Sequence, residues 1–205
     1  MTTDAENEHP HGMNAIAHAC FSLPRGSMTK GMTMSTSPYR ELMHYKRWAT
    51  NGLHAVLKEN LARLGEDDRT LILLLLDHIH SVDEIFSRNL EGRDHGYLAP
   101  RSAELPSFEV LDSKARSTSA WYVDYVDGLS AETLEATITF TFSNGTPGRM
   151  TRGEMILHVA MHGAGHRGQI ALLLQKNGIQ PFQDRMTDFV EAGEMCSDGR
   201  PDCAP

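Results

Sequence analysis

His158, His162 and His166 follow one another at intervals of four residues. Residues at this spacing differ by only about 40° around a helix axis, so the three imidazoles would form one row on a single face. Met155 and Leu173 share that face, which predicts that the row points into the protein. Two imidazoles at i and i+4 are one way in which a helix binds a metal ion. The alternative is a core histidine satisfied by hydrogen bonds.

The rest of the sequence predicts an all-α protein, a four-helix bundle with long connections. Apolar spacing and the breaks at glycine and proline place the long helices at 38–64, 69–90, 107–126 and 151–176. Strict alternation over 137–142, followed by Asn144 and Gly145, predicts one short β-hairpin before the last long helix. A short fifth helix is expected at 186–192.

Three parts of the chain differ in composition. Residues 1–35 are rich in Gly, Met, Ser, Thr and His without a sustained period, and we expect a flexible N-terminal leader there. Residues 36–190 carry the helical patterns and form the predicted bundle domain. Residues 191–205, which include Cys196 and Cys203, are expected to form a C-terminal tail.

Charge and hydropathy exclude several functional classes. The formal net charge is −8 and the 19 basic residues are scattered, which argues against nucleic-acid binding. No apolar run approaches the roughly 18 to 20 residues that span a bilayer, and the first residues make a poor signal peptide. Three cysteines do not make a disulfide framework, although Cys196 and Cys203 could pair in the tail. We expect a reduced, cytoplasmic protein with no membrane partner.

A third histidine is predicted to join the row from the second helix. His78 lies on the side of that helix that carries an apolar stripe, whereas His80 lies about 200° away and is expected to be a solvated bystander. The stripe consists of Leu71, Leu75, Val82 and Ile85. If the second and last long helices pack together, His78, His162 and His166 offer three nitrogens to one ion. Such a set leaves an open position, as in catalytic rather than structural sites.

These segments resemble the DinB family over roughly residues 36–190. The resemblance rests on the HxxxHRGQ motif at 162–169, on the segment 76–86 around His78, and on 45–51 in the first helix. It implies a four-helix bundle, usually a homodimer, with metal ligands at His78, His162 and His166. His158 would lie near the site without being a ligand.

The sequence departs from the family pattern at Gly163–Gly165, between the two ligands, where larger residues are common. Two supporting roles are also predicted from helical angles. Gln169, within about 20° of His162, is expected to orient a ligand or contact substrate. Asp83 and Arg167 are expected to pair across helices as a structural ion pair.

Three neutral imidazoles leave the charge of a divalent ion intact, and zinc and nickel suit such a site equally. Proteins similar to this one include thiol-dependent S-transferases that use low-molecular-weight thiols such as mycothiol or bacillithiol. Hydrolysis by metal-bound water is the second possibility, but it normally needs a carboxylate base. The helical motifs place no carboxylate on the histidine face, which favours thiol transfer to a small electrophilic substrate. A non-enzymatic metal-binding or ligand-binding stress protein is the third.

Overall fold

A computed structural model describes residues 37–197. In chain order the elements are α1 (Ser37–Asn60), a short 3₁₀ helix (Leu61–Arg63), α2 (Glu66–Leu90), α3 (Phe108–Asp127), α4 (Ala131–Glu135), β1 (Thr137–Thr141), β2 (Pro147–Thr151), α5 (Arg152–Lys176) and α6 (Met186–Ser197). The predicted all-α class, with four long helices and one hairpin before the last of them, is confirmed. The expected leader lies outside the described residues. The last helix continues five residues past the predicted end at 192.

The four long helices pack so that α1 and α2 each contact both α3 and α5. Apolar side chains from all four fill the interior in two clusters. One cluster is centred on Phe86, Tyr122 and Met155, and the other on Leu57, Ile72 and Leu174. Because α2 is covered by α3 on one side and by α5 on another, it is buried around most of its circumference.

The hairpin sets the start of α5. Its antiparallel register pairs Thr137 with Thr151 and Thr141 with Pro147, and Gly145 takes a φ of 83° in the turn. α5 follows β2 without a linker, through the predicted capping box. The amide of Glu154 donates to Thr151 Oγ1 over 3.1 Å, and the amide of Thr151 donates to Glu154 Oε2 over 2.7 Å. Two otherwise unpaired amides are satisfied in this way.

Two ion pairs lie inside the bundle, and they differ from the expected one. Lys46 on α1, only 2% exposed, donates to Asp83 on α2, which is 5% exposed. Arg167 on α5 donates from Nε to Asp184 Oδ2 over 2.7 Å. The predicted Asp83–Arg167 pair is therefore wrong. Asp83 pairs with Lys46 of α1 instead. The chain after α5 folds back and brings Asp184 to Arg167.

Gly163 makes room for these two cations. A Cβ atom at this position would lie 3.2 Å from Nη1 of Arg167 and 3.3 Å from Cε of Lys46. Both distances are tighter than ordinary van der Waals contact. The small residue next to His162 therefore serves the buried charge network behind α5 and does not widen a pocket in front of it.

We expect the Lys46–Asp83 pair to show strong non-additivity in stability. Lys46→Met or Asp83→Leu alone should lower the free energy of unfolding by about 3–5 kcal/mol, because each leaves a buried charge without its partner. The double variant Lys46→Met/Asp83→Leu should lose much less. Denaturant titration followed by circular dichroism would measure all three. Additive losses would contradict the assignment of a coupled pair.

Candidate metal centre

Three histidine side chains converge between α2 and α5. One ring nitrogen from each of His78, His162 and His166 lies within 4.8 Å of the other two, and all three residues are half-buried. The Nε2 atoms of His78 and His162 are 3.1 Å apart. The ring centroid of His166 lies 4.8 Å from that of His78 and 4.5 Å from that of His162. The structure thus brings together the three residues that were predicted as ligands.

The outer nitrogens of two of these rings are held by acceptors. Nδ1 of His78 donates to the carbonyl oxygen of Pro100 over 2.7 Å, and Nδ1 of His166 donates to Oε1 of Gln169 over 2.7 Å. Because these oxygens only accept, the proton of each neutral ring is on Nδ1 and the lone pair is on Nε2. Nδ1 of His162 is buried and meets no partner among the described residues.

These tautomers fit a bound cation. Metal-ligating histidines commonly donate their outer N–H to a carbonyl or amide oxygen, which fixes the ring and raises its basicity. Two nitrogens on one tetrahedral zinc ion are about 3.4 Å apart, given Zn–N distances of about 2.05 Å. The Nε2 separation between His78 and His162 is close to that value. Burial lowers the pKa of His162 to about 3, and the neighbouring imidazoles of His166 and His78 add to the shift. The ring of His162 is therefore neutral at neutral pH, which is the form that binds a metal ion.

The connection between α2 and α3 fixes His78 from outside the bundle. Besides the Pro100 carbonyl at His78, the amide and the hydroxyl of Ser102 donate to the carboxylate of Asp77 over 2.9 and 2.6 Å. Asp77 and His78, two consecutive residues of α2, thus hold the connection in place. The sequence predicted a long connection here, but no pattern in it indicated that a backbone carbonyl would orient a ligand.

The apolar stripe of α2 is turned slightly from the predicted one. Leu71 is 45% exposed, whereas Ile72, Leu76 and Ile79 are buried. His78 consequently lies at the edge of the buried face and reaches α5 from there. Its ring is therefore half-buried, as are those of His162 and His166.

The prediction for His80 is wrong. This side chain is 4% exposed, and neither ring nitrogen has a hydrogen-bond partner among the described residues. Its Nε2 lies 3.4 Å from Glu84 Oε2. Burial lowers the pKa of His80, with Glu84 acting in the opposite direction. The opposite side of α2 is packed against α3, so a residue 200° from His78 is buried there instead of facing water.

His158 lies one turn before the cluster, as expected for a residue near the site. Its ring stacks on His162 at a centroid distance of 5.7 Å and contacts Phe86 at 4.7 Å. It is exposed and is not part of the three-nitrogen group. The expected orienting role of Gln169 matches its hydrogen bond to His166.

α2 and α5 bring three imidazole nitrogens together, and helical bundles can bind a metal ion between side chains of facing helices in this way. A sequence model of the DinB family matches residues 32–195, and the chain belongs to the DinB family. Neither a curated protein nor a solved structure gives a significant match to the chain. Over residues 37–197, the helices lack the combination of length and apolarity needed to cross a membrane.

Removal of any one imidazole should abolish stoichiometric metal binding. We expect His78→Ala, His162→Ala and His166→Ala proteins to contain far less than one equivalent of zinc or nickel after loading and desalting. His158→Ala should keep its metal. His80→Ala should also keep it, with a lowered melting temperature because a buried side chain is lost. Elemental analysis and thermal unfolding provide the two measurements. Full metal content in the His78→Ala protein would contradict the three-histidine assignment.

Gln169 should affect affinity without being a ligand. The Gln169→Leu variant loses the acceptor for His166 Nδ1, and loss of such an outer partner typically weakens metal binding about 10–100-fold. Competition with a chelator would measure the change. Gln175→Leu, six residues further along the same helix and also exposed, is the matched control and should bind as the unmodified protein does. Equal affinities for all three proteins would show that the hydrogen bond has no influence on the ion.

Proposed function

We propose that this DinB-family protein binds one divalent metal ion, zinc or nickel, through His78, His162 and His166, and transfers a low-molecular-weight thiol to a small electrophile. The observation that carries the proposal is the donor set. Among the described residues, the candidate ligands are three imidazoles and include no carboxylate. An ion held by neutral ligands keeps its full charge, and it would lower the pKa of a thiol that reaches the open position.

The acidic residues near His78 on α2 support transfer over hydrolysis. Asp77 is 2% exposed and accepts hydrogen bonds from Ser102, and Asp83 is 5% exposed and paired with Lys46. Both carboxylates are buried in structural contacts, so neither is placed to take a proton from water at the open side of the histidines. Hydrolysis normally relies on such a base.

In this proposal the residues around the ion orient the ligands and take no part in bond making or breaking. His78 and His166 are held by Pro100 and Gln169 through Nδ1, which leaves Nε2 of each neutral ring available to bind the ion. The ring of His158, which packs on Phe86, lies beside His162. In the reaction, the thiol would release its proton to solvent, and the resulting thiolate sulfur would form a bond to an electrophilic carbon as the carbon–halogen or carbon–oxygen bond breaks. The leaving group departs with the electron pair, or the ring-opened oxygen takes a proton from solvent.

Steady-state assays with several bacterial thiols and with epoxides or halogenated aromatics would test the proposal. We expect product formation to require both metal and thiol, and to fall at least 100-fold in the His162→Ala protein. The His44→Ala protein, altered at a half-buried histidine of α1 outside the three-histidine group, should keep its rate.

Other outcomes distinguish the alternatives. Metal-dependent hydrolysis of esters or amides without any thiol would overturn S-transfer and favour a hydrolase. Metal binding without turnover in either assay would favour a non-enzymatic metal-binding or ligand-binding role.

A further inference from the structure

A small cavity lies inside the bundle, with walls supplied by α1, α2, α3 and α5. The space in it that is open to the centre of a water molecule is about 10 Å³. Much of its wall is apolar, but four of the lining residues are polar: Thr50, His80, Asp83 and Arg167. Each of the four is exposed by 6% or less. The interior of the bundle therefore contains a polar cavity within an otherwise apolar core.

All four polar residues carry an atom without a hydrogen-bond partner among the described residues. These atoms are Oγ1 of Thr50, both ring nitrogens of His80, Oδ1 of Asp83 and Nη1 of Arg167. The other side of each charged group is already engaged in the ion pairs described above. Buried polar groups are nearly always paired, with protein or with ordered water, because leaving them unpaired is costly. Five such atoms around one cavity indicate a shared binding partner inside it.

Charge and size both select water as that partner. The carboxylate of Asp83 would repel an anion and the guanidinium of Arg167 would repel a cation, whereas water can donate to the first and accept from the second. A polar cavity needs roughly 10–15 Å³ of this kind of space to hold one water molecule. Thr50 and His80 can each donate or accept, so a single water finds partners for all of its hydrogen bonds.

Gly163 places the two charged groups next to each other. A Cβ atom at this position would lie 3.2 Å from Nη1 of Arg167 and 3.9 Å from Nζ of Lys46, and this Nζ donates to Asp83. Both groups thus lie beside the same turn of α5. The unpaired atoms Oδ1 of Asp83 and Nη1 of Arg167 form no direct bond within residues 37–197. A bridging molecule would join them.

We propose that one water molecule occupies this cavity, donates to Oδ1 of Asp83 and accepts from Nη1 of Arg167, with Thr50 and His80 completing its hydrogen bonds. The water would link α2 directly to α5, the two helices that carry the three histidines. Arg167 directly follows the predicted ligand His166 in the chain. The bridge would therefore help to hold the imidazoles of the two helices at their observed separation. The inference does not depend on the proposed thiol chemistry.

A high-resolution crystal structure of the full-length chain tests whether the water is there. We expect a density peak within about 2.7–3.2 Å of both Oδ1 of Asp83 and Nη1 of Arg167. A cavity without density, or a direct hydrogen bond between these two atoms, would overturn the proposal.

The Thr50→Val variant tests the water in solution, because valine keeps the shape of threonine and lacks the hydroxyl. If the hydroxyl binds the water, the variant loses a hydrogen bond and its melting temperature should fall by about 2–4 °C. If the hydroxyl had no partner, the same change would remove the cost of burying it and raise the melting temperature. Thr70→Val, at an exposed position of α2, is the matched control and should change little. An unchanged or raised melting temperature for Thr50→Val would contradict the bound water.

Metal affinity tests whether the bridge positions the histidines. Thr50 lies outside the three-histidine group. We nevertheless expect Thr50→Val to bind zinc about 2–30-fold more weakly in competition with a chelator, the range typical of residues that couple distant parts of a site. Thr70→Val should bind zinc as the unmodified protein does. Equal affinities for all three proteins would overturn the positioning role of the water.

Discussion

The contact between α2 and α5 is the interaction on which the candidate site depends. His78 comes from one helix and His162 and His166 from the other, so a small rotation of either helix would separate the Nε2 atoms of His78 and His162. Apolar packing stabilises the contact between the two helices. It does little to fix their relative rotation and shift, since hydrophobic burial is not directional. The buried ion pairs help to fix the relative positions of the helices, because their hydrogen bonds are directional. Lys46 and Asp83 tie α2 to α1, and Arg167 and Asp184 tie α5 to the chain that follows it. Gly163 lets both cations lie against the helix that carries the ligands.

This arrangement also explains why a protein would retain charges that are costly to bury. A buried ion pair gives little net stability relative to an apolar pair, yet breaking it is expensive. Such a pair therefore acts mainly against displaced arrangements of the helices. At a site where nitrogens must converge on one point, selection among nearly equivalent packings matters more than total stability. The connection between α2 and α3 also helps to fix the position of His78, because Ser102 and Pro100 bind the neighbouring residues Asp77 and His78.

Features set by local sequence were predicted correctly, whereas contacts between distant parts of the chain were missed. Helical periodicity placed His162 and His166 on one face, and alternation with Asn144–Gly145 gave the hairpin, since both signals are local. The apolar stripe of the second helix indicated His78 as a third ligand if the two helices pack together, and the resemblance to the DinB family implied the same three residues. His80 was misplaced because a helical angle gives only relative orientation, and α2 is covered by α3 as well as by α5. The partner of Arg167 was missed because Asp184 lies in an irregular segment, whose return path no periodic pattern describes.

The surface of α5 is divided into three sectors around its circumference. Its inward side fills the core with Ile156, Ile170 and Leu174, and a second sector carries the histidine row. The third sector faces away from the core and carries the exposed apolar side chains of Leu157, Met161 and Leu172. Each sector constrains the residues that the helix can use, and the sequence accordingly departs from good helix formers at several positions. The capping box at Thr151 and Glu154 fixes where the helix begins. It therefore sets the angular position of all three sectors at once, because a shift of one residue would turn each of them by about 100°.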